Sequence, residues 1–175
     1  MSRVESHDPR FLVHYDEEGA RSVRSRASFA AGEELTCFWA RTESDRPQRL
    51  SVQVSESRHI ELEPAFLECT NHGCEPNVFF DTAAFVLVSL RPIAPGDELR
   101  FFYPSTEWKM SEPFECACGA EACLGVIEGA SATPRAVLAR YRLAPHIEAA
   151  LARSSEPELH PHRLHAAERL GPESP

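Results

Sequence analysis

The sequence has few of the features that mark a membrane, secreted or nucleic-acid-binding protein. No apolar run is long enough to cross a bilayer, and residues 1–10 are polar and contain no signal-peptide segment. Positive charge is scarce, with 18 Lys and Arg against 27 Asp and Glu and a net charge of -9. We therefore expect a soluble intracellular protein, cytoplasmic or, in a eukaryote, nuclear, that binds neither membranes nor nucleic acid directly. The acidic balance suits a basic partner, or serves only to keep the protein soluble.

Helical periodicity is also scarce before residue 133. Short apolar or alternating segments separated by turns predict β-strands instead, among them "FLVHY" at 11–15, "LSVQVS" at 50–55 and "FVLVSL" at 85–90. Thr133 and Pro134 predict the N-cap and first residue of a helix, and Pro145 predicts the start of a second one. A chain of 175 residues that is 42% apolar can form one domain with its own core.

One pattern occurs twice. "FAAGEELTCFW" at 29–39 and "PIAPGDELRFFY" at 92–103 match in register, and each places a glycine turn before an apolar strand. Two copies are too few for a solenoid. We expect two similar β-units inside one domain.

The six cysteines predict a metal site. Without a secretion signal they should be reduced thiols, and three of them lie within "CACGAEAC" at 116–123. Tetrahedral zinc needs a fourth ligand. Cys37 lies in an apolar strand pattern and is predicted to belong to the core. Cys74, in the polar turn "TNHGCEPNV", is the favoured fourth ligand, and Cys69 remains an alternative.

Three of these segments together resemble a known family. "NHGCEPNV" at 71–78, "PIAPGDELRFFY" at 92–103 and "FECACGAEACLG" at 114–125 are similar, in order and spacing, to the C-terminal half of SET-domain protein lysine methyltransferases with a post-SET zinc segment. The similarity is strong over 68–127 and weak over 11–39.

The resemblance implies a mainly β, SET-like fold of small curved β-sheets, with a zinc-stapled post-SET segment and short C-terminal helices. The expected boundaries are a SET domain at 11–111, a post-SET zinc segment at 112–130 and C-terminal helices at 131–153. The composition of 154–175, rich in Pro, Glu and His, predicts a disordered tail.

The resemblance also implies a function, an S-adenosylmethionine-dependent methyltransferase that modifies a lysine side chain in a basic segment of a protein substrate. Asn71, His72, Gly19 and Tyr103 correspond to cofactor-binding positions, and Tyr103 also to the catalytic tyrosine. Phe101 corresponds to a wall of the substrate channel. The implied zinc ligands are Cys74, Cys116, Cys118 and Cys123.

Departures from the family pattern keep an alternative open. The usual N-terminal G-x-G is reduced to "EEGARSV", in which only Gly19 remains, and losing a glycine restricts backbone approach to a cofactor. The segment at 40–67, which forms one wall of the peptide groove in the family, is short. The alternative is a noncatalytic SET-like zinc-containing module for protein interaction. A zinc-ribbon nucleic-acid binder would need two paired knuckles and a basic face, and the sequence contains neither.

Overall fold

The computed structural model describes residues 4–154 and confirms the mainly β fold. The strands are β1 Phe11–Tyr15, β2 Arg21–Ser25, β3 Glu34–Cys37, β4 Trp39–Ser44, β5 Ser51–Ser55, β6 Arg58–Glu63, β7 Asn71–His72, β8 Val78–Asp81, β9 Val86–Ser89, β10 Arg100–Phe101, β11 Phe114–Glu115 and β12 Val126–Ile127. The α-helices are α1 Arg135–Leu138 and α2 Pro145–Arg153. Short 3-10 helices occupy Ala65–Cys69, Tyr103–Ser105 and Ala130–Ala132.

The strands form small separate sheets rather than one large sheet. Two sheets have three strands, in the orders β3-β9-β8 and β4-β6-β5. The pairs β1-β2 and β11-β12 are antiparallel, whereas β7 and β10 pair in parallel. The parallel pair joins two segments far apart in sequence, and it is the one that positions the site.

The two copies of the repeated pattern meet each other. Phe29 and Ile93, which occupy equivalent positions, exchange two backbone hydrogen bonds of 3.0 Å. Gly32 and Gly96 both have positive φ, of 80° and 95°, which glycine adopts at little cost. The predicted pair of similar units is therefore confirmed at the level of the turns.

The side chains of the two turns also correspond. Glu33 Oε2 accepts a hydrogen bond from the Ala30 N–H at 2.8 Å, and Asp97 Oδ2 accepts the equivalent bond from Ala94 at 2.9 Å. After the turns the copies diverge, because β3 pairs with β9 while β10 pairs with β7.

Cys37 is exposed, so its predicted place in the core is wrong. The pairing of β3 with β9 shifts register between Glu34 and Thr36, which marks a β-bulge or irregularity. Such a shift breaks the alternation of a strand. Leu35 and Phe38 are buried as a result, and Cys37 between them points outward.

The C-terminal helices cover a second, smaller core. Its buried members are Phe79, Phe102, Ala130, Leu138, Ala144 and Ile147. Helix α2 begins at Pro145 as predicted. Helix α1 begins one residue later than predicted, because Pro134 keeps an extended ψ of 139° and is itself the N-cap. The Thr133 hydroxyl instead donates to the Gly129 carbonyl, at 2.9 Å.

The predicted tail lies outside the described residues from 155 onward. The predicted domain boundaries at 11–111, 112–130 and 131–153 stay predictions. Within residues 4–154, no helix has the length and apolar character that crossing a membrane requires.

Candidate functional site

A cleft of about 600 Å³ opens where the turn before β2, the β7-β10 pair and the segment at 110–118 meet. In the parallel pair, Asn71 lies opposite Arg100 and His72 lies opposite Phe101. This register places the two sequence motifs side by side, and Tyr103 follows directly. The cleft is lined by Gly19, Asn71, His72 and Tyr103, the four residues expected to contact a cofactor.

Asn71 is held by both hydrogens of its side-chain amide. Its nitrogen donates to the Arg21 carbonyl at 2.8 Å and to Glu98 Oε1 at 3.1 Å. These bonds tie β7 to the end of the N-terminal hairpin and leave the amide oxygen of Asn71 as its acceptor at the edge of the cleft.

Gly19 lies in the tight turn between β1 and β2, with φ of +86°. The turn is closed by Asp16, whose Oδ1 accepts hydrogen bonds from the backbone of Glu18 and Ala20. A Cβ built on Gly19 would meet no protein atom within 4 Å. Glycine is therefore required here by backbone conformation rather than by packing.

His72 connects the cleft to the cysteines. Its Nδ1 accepts a hydrogen bond from the Tyr103 backbone N–H at 3.2 Å, so its proton is on Nε2, which lies 3.3 Å from Cys74 Sγ. Burial, with a smaller effect of the nearby Arg100 charge, lowers the pKa of His72 to about 4. The ring is thus neutral at physiological pH and donates to sulfur on one side while accepting from Tyr103 on the other.

Tyr103 lies at the junction of the cleft with a narrow pocket. Its hydroxyl donates to the Thr70 carbonyl at 3.2 Å, and its ring contacts those of His72 and Phe101 at centroid distances of 5.2 and 4.6 Å. Burial raises the pKa of Tyr103, which keeps the hydroxyl protonated. The phenol can therefore act as a hydrogen-bond donor or acceptor but not as an anionic base at neutral pH.

Phe101 lines the narrow pocket and not the cleft. This pocket has a volume of about 50 Å³, and its walls include Phe101, Tyr103 and Glu107. Phe101 is fixed from behind by an edge-on contact with Phe80 at 4.8 Å. The structure therefore places the expected channel residue beside the expected catalytic residue, in a space that adjoins the cleft.

Four sulfur atoms converge at one side of the cleft. The Sγ atoms of Cys74, Cys116, Cys118 and Cys123 all lie within 4.8 Å of one another. Sulfur ligands at about 2.3 Å from a tetrahedral zinc would be about 3.8 Å apart, so this set fits the metal. The Leu124 N–H also donates to Cys74 Sγ at 3.5 Å. Cys69, the alternative ligand, is buried at the wall of the cleft, and its sulfur is not part of the group.

Sequence reasoning missed Glu107, Thr70 and Phe114. Phe114 lines the cleft, and its ring lies 5.9 Å from those of both His72 and Tyr103. Its position two residues before the first cysteine of the 116–123 group was a usable signal. For Glu107 the signal was a charged residue within the aromatic-rich "FFYPSTEW" at 101–108.

Glu107 is a buried carboxyl group. Its Oε1 accepts hydrogen bonds from the Gln53 N–H at 2.7 Å and the Thr106 hydroxyl at 3.3 Å, and its Oε2 lies 3.8 Å from His59 Nδ1. Burial raises the pKa of Glu107 to about 8. Burial, together with His146, lowers the pKa of His59.

Similarities to known proteins identify the family of this chain. A family model described as "SET domain" matches residues 45–104. The protein "Methyltransferase flvH" of Aspergillus flavus is 42% identical over 133 residues, which are 75% of this chain and 74% of the relative. The chain belongs to the SET-domain family.

Solved structures show the same fold. Two structures of KRYPTONITE align with a TM-score of 0.52, one at 21% identity over 66% of this chain and the other at 22% over 67%. The first is a complex with mCHH DNA, an H3(1-15) peptide and SAH, and the second a complex with mCHG DNA and SAH. This chain spans 29% of the length of the protein in each.

The cysteine geometry predicts one zinc ion per chain. Metal analysis should return a stoichiometry near one, and Cys123→Ser should lower it, because three sulfurs remain. Cys37→Ser is the matched control, since this exposed cysteine lies outside the group. Chelation should increase hydrogen exchange at 112–128 before the rest of the chain, because metal binding folds that segment. Full zinc content in Cys123→Ser would contradict the assignment.

The raised pKa of Glu107 predicts that the stability of the protein depends on pH. Its folded pKa of about 8 lies above its ordinary value, so the folded state binds more protons between pH 4.5 and 8. The contribution of Glu107 to the free energy of unfolding is therefore highest below pH 4.5 and falls as pH rises through this window. Relative to the parent, Glu107→Gln should gain on the order of a few kcal/mol in the free energy of unfolding as pH rises from 5 to 8.

Urea denaturation at several pH values measures this difference. Glu43→Gln is the control, because Glu43 is an exposed carboxylate paired with Arg58, and its effect should be nearly constant above pH 5. A pH-independent difference for Glu107→Gln would mean that Glu107 titrates normally.

Proposed function

We propose that this chain is an S-adenosylmethionine-dependent methyltransferase that methylates a lysine side chain of a protein substrate. The observation that carries the proposal is the junction at Tyr103, where a cleft large enough for a nucleoside cofactor meets a narrow pocket suited to an alkyl amine. Methyl transfer needs two such spaces that open on each other, because donor and acceptor approach in line.

The cofactor assignment rests on the cleft and on the relatives. The cleft presents the Asn71 amide, the backbone around His72, the Gly19 turn and the aromatic rings of Tyr103 and Phe114. Amide and backbone groups suit the polar edges of a nucleoside, and aromatic rings suit its flat faces. The similar proteins support the same choice, since one is named a methyltransferase and the KRYPTONITE structures contain SAH.

The chain's own residues would position the acceptor and exclude water. S-adenosylmethionine supplies a methyl group that its sulfonium charge already makes electrophilic. The acceptor needs a neutral amine whose lone pair is aimed at that carbon, and an apolar channel favours the neutral form. We assign orientation of the amine to the Tyr103 hydroxyl and the apolar wall to Phe101.

The four cysteines would hold zinc as a structural ion. All four positions of a tetrahedral site would be occupied by thiolates, which leaves no open position for a substrate. The metal would fix the segment at 112–118, which contributes Phe114, Cys116 and Cys118 to the wall of the cleft.

A protein substrate fits the charge of the chain and one solved relative. The net charge of -9 favours a basic peptide, and one KRYPTONITE complex contains an H3(1-15) peptide. The same complexes contain DNA, whereas the acidic composition of this chain disfavours direct nucleic-acid binding. The cellular compartment stays a prediction.

Replacing Tyr103 by Phe tests the catalytic assignment. Tyr103→Phe should reduce methyl transfer by ~10²-fold, a loss of about 2.7 kcal/mol of transition-state stabilisation, because the hydroxyl that orients the amine is removed. Transfer of radiolabelled methyl groups to protein extracts provides the measurement. Zinc content and affinity for S-adenosylhomocysteine should change little.

Two variants serve as controls in the same assay. Tyr15→Phe removes a hydroxyl that contacts Val4, away from the cleft, and should transfer at the parent rate. Asn71→Ala should weaken cofactor binding first, because its amide fixes β7 at the cleft. Parental transfer by Tyr103→Phe would refute the catalytic role. A parent that neither binds cofactor nor transfers methyl groups would favour the noncatalytic interaction module.

A further inference from the structure

The narrow pocket contains a buried carboxyl group that the proposed methyl transfer does not use. Glu107 lines this pocket and is 5% exposed. Within residues 4–154, its single ion-pair contact is the one with His59, at 3.8 Å, and no arginine or lysine reaches it. Burying a carboxylate without a cationic partner is costly. A buried carboxyl group of this kind indicates that the opposite charge for its ionised form is supplied from outside the protein, for example by a bound cation.

His59 does not provide that compensation. Burial lowers the pKa of His59, and its Nδ1 makes no hydrogen bond within the described part of the chain. Arg49, which also lines the pocket, is exposed. Glu107 therefore has no permanent positive charge beside it.

Glu68 lines the same pocket and, unlike Glu107, has an arginine partner. Its Oε1 accepts hydrogen bonds from Arg41 at 2.8 Å and from the Leu62 N–H at 3.1 Å. Burial still raises the pKa of Glu68, although Arg41 opposes that rise. The pocket thus has one carboxyl group with an arginine partner and one, Glu107, without an arginine or lysine partner among the described residues.

Thr70 gives a second, independent observation. It is 3% exposed and lines the same pocket, and its Oγ1 is a buried polar atom with no hydrogen-bond partner among the described residues. Its carbonyl, by contrast, accepts the Tyr103 hydroxyl. Buried hydroxyl groups are normally hydrogen-bonded, so this one points to a ligand.

The rest of the pocket suits an alkyl chain. Its apolar walls are formed by Leu50, Val52, Leu62, Leu67, Phe101 and Met110. Such a lining accepts methylene groups, whereas the carboxyl and hydroxyl groups accept N–H donors.

We propose that Glu107 and Thr70 select the substrate by receiving the nitrogen of an alkylammonium ion whose chain lies along the apolar walls of the pocket. Glu107 is mainly protonated in the free protein at neutral pH, so it releases its proton to solvent when the ammonium ion binds, and its carboxylate then supplies the opposite charge. Thr70 Oγ1 accepts a second N–H. Return of one proton from the nitrogen to Glu107 leaves the neutral amine that methyl transfer needs. Neutral groups of the same size form no such ion pair with Glu107. The inference rests on the proposed function, in that the bound nitrogen lies beside Tyr103.

The experiment uses n-butylammonium chloride as a probe for the four-carbon chain and cation of lysine. Zinc-containing protein is titrated with the probe in the presence and absence of S-adenosylhomocysteine, and binding is followed by NMR chemical shifts. Glu107→Gln should weaken binding by at least ~10-fold, as for loss of a buried charge pair. Thr70→Val should weaken it by about 3-fold, as for loss of a neutral hydrogen bond.

Two controls separate a specific anchor from a general acidic surface. Glu68→Gln should change probe affinity by less than about 3-fold, because Arg41 is already the ion-pair partner of Glu68. The neutral probe 1-butanol should bind the parent and Glu107→Gln alike. Thr70→Val also keeps the test available if Glu107→Gln does not fold, because its hydroxyl makes no structural hydrogen bond.

Each outcome decides the matter. Failure of n-butylammonium to bind the parent, or equal affinity in the parent, Glu107→Gln and Thr70→Val, overturns the inference. If S-adenosylhomocysteine does not bind while the probe still binds through Glu107, the proposed function fails and the pocket assignment stands.

Discussion

The site depends on the parallel pairing of β7 with β10 and on the His72 ring that the pairing buries. One ring nitrogen accepts the backbone N–H of Tyr103, and the other faces Cys74 Sγ. A single neutral imidazole therefore links Tyr103, at the junction of the cleft and the narrow pocket, to the cysteine group. Because His72 is buried among Phe102, Tyr103 and Phe114, neither bond can be exchanged for water without opening the site.

A second feature of the site is that, within residues 4–154, the narrow pocket contains a buried carboxyl group without a cationic partner and a buried hydroxyl group without a hydrogen-bond partner. Asn71 and Glu68, which also line the site, are hydrogen-bonded to backbone and side-chain partners. Glu107 has no arginine or lysine partner, and the Thr70 hydroxyl has no hydrogen-bond partner among the described residues, and both lie in one small space. Folds depart from local rules mainly where function requires it. The narrow pocket is therefore best understood as part of the site, with its stability cost offset when a cationic substrate binds.

Local sequence patterns predicted which residues lie together around the cleft better than they predicted the details of the fold. The motif at 71–78 and the cysteines at 116–123 could be recognised because their chemistry depends on short spacing. The position of Cys37 could not, since a register shift depends on how two distant strands pair. The burial of Glu107 was equally hidden, because it results from β5 and the turn after β10 coming together, which no local pattern encodes.

The central claim is that the cysteine group and the cofactor cleft form one unit, since Cys116 and Cys118 belong to both. Calorimetric titration of S-adenosylhomocysteine into zinc-containing and zinc-stripped protein tests it most directly. The account predicts that zinc removal weakens binding by at least ~10-fold, because the wall of the cleft unfolds, and that added zinc restores it. Unchanged affinity in metal-free protein that keeps its β-sheet signal would contradict the account.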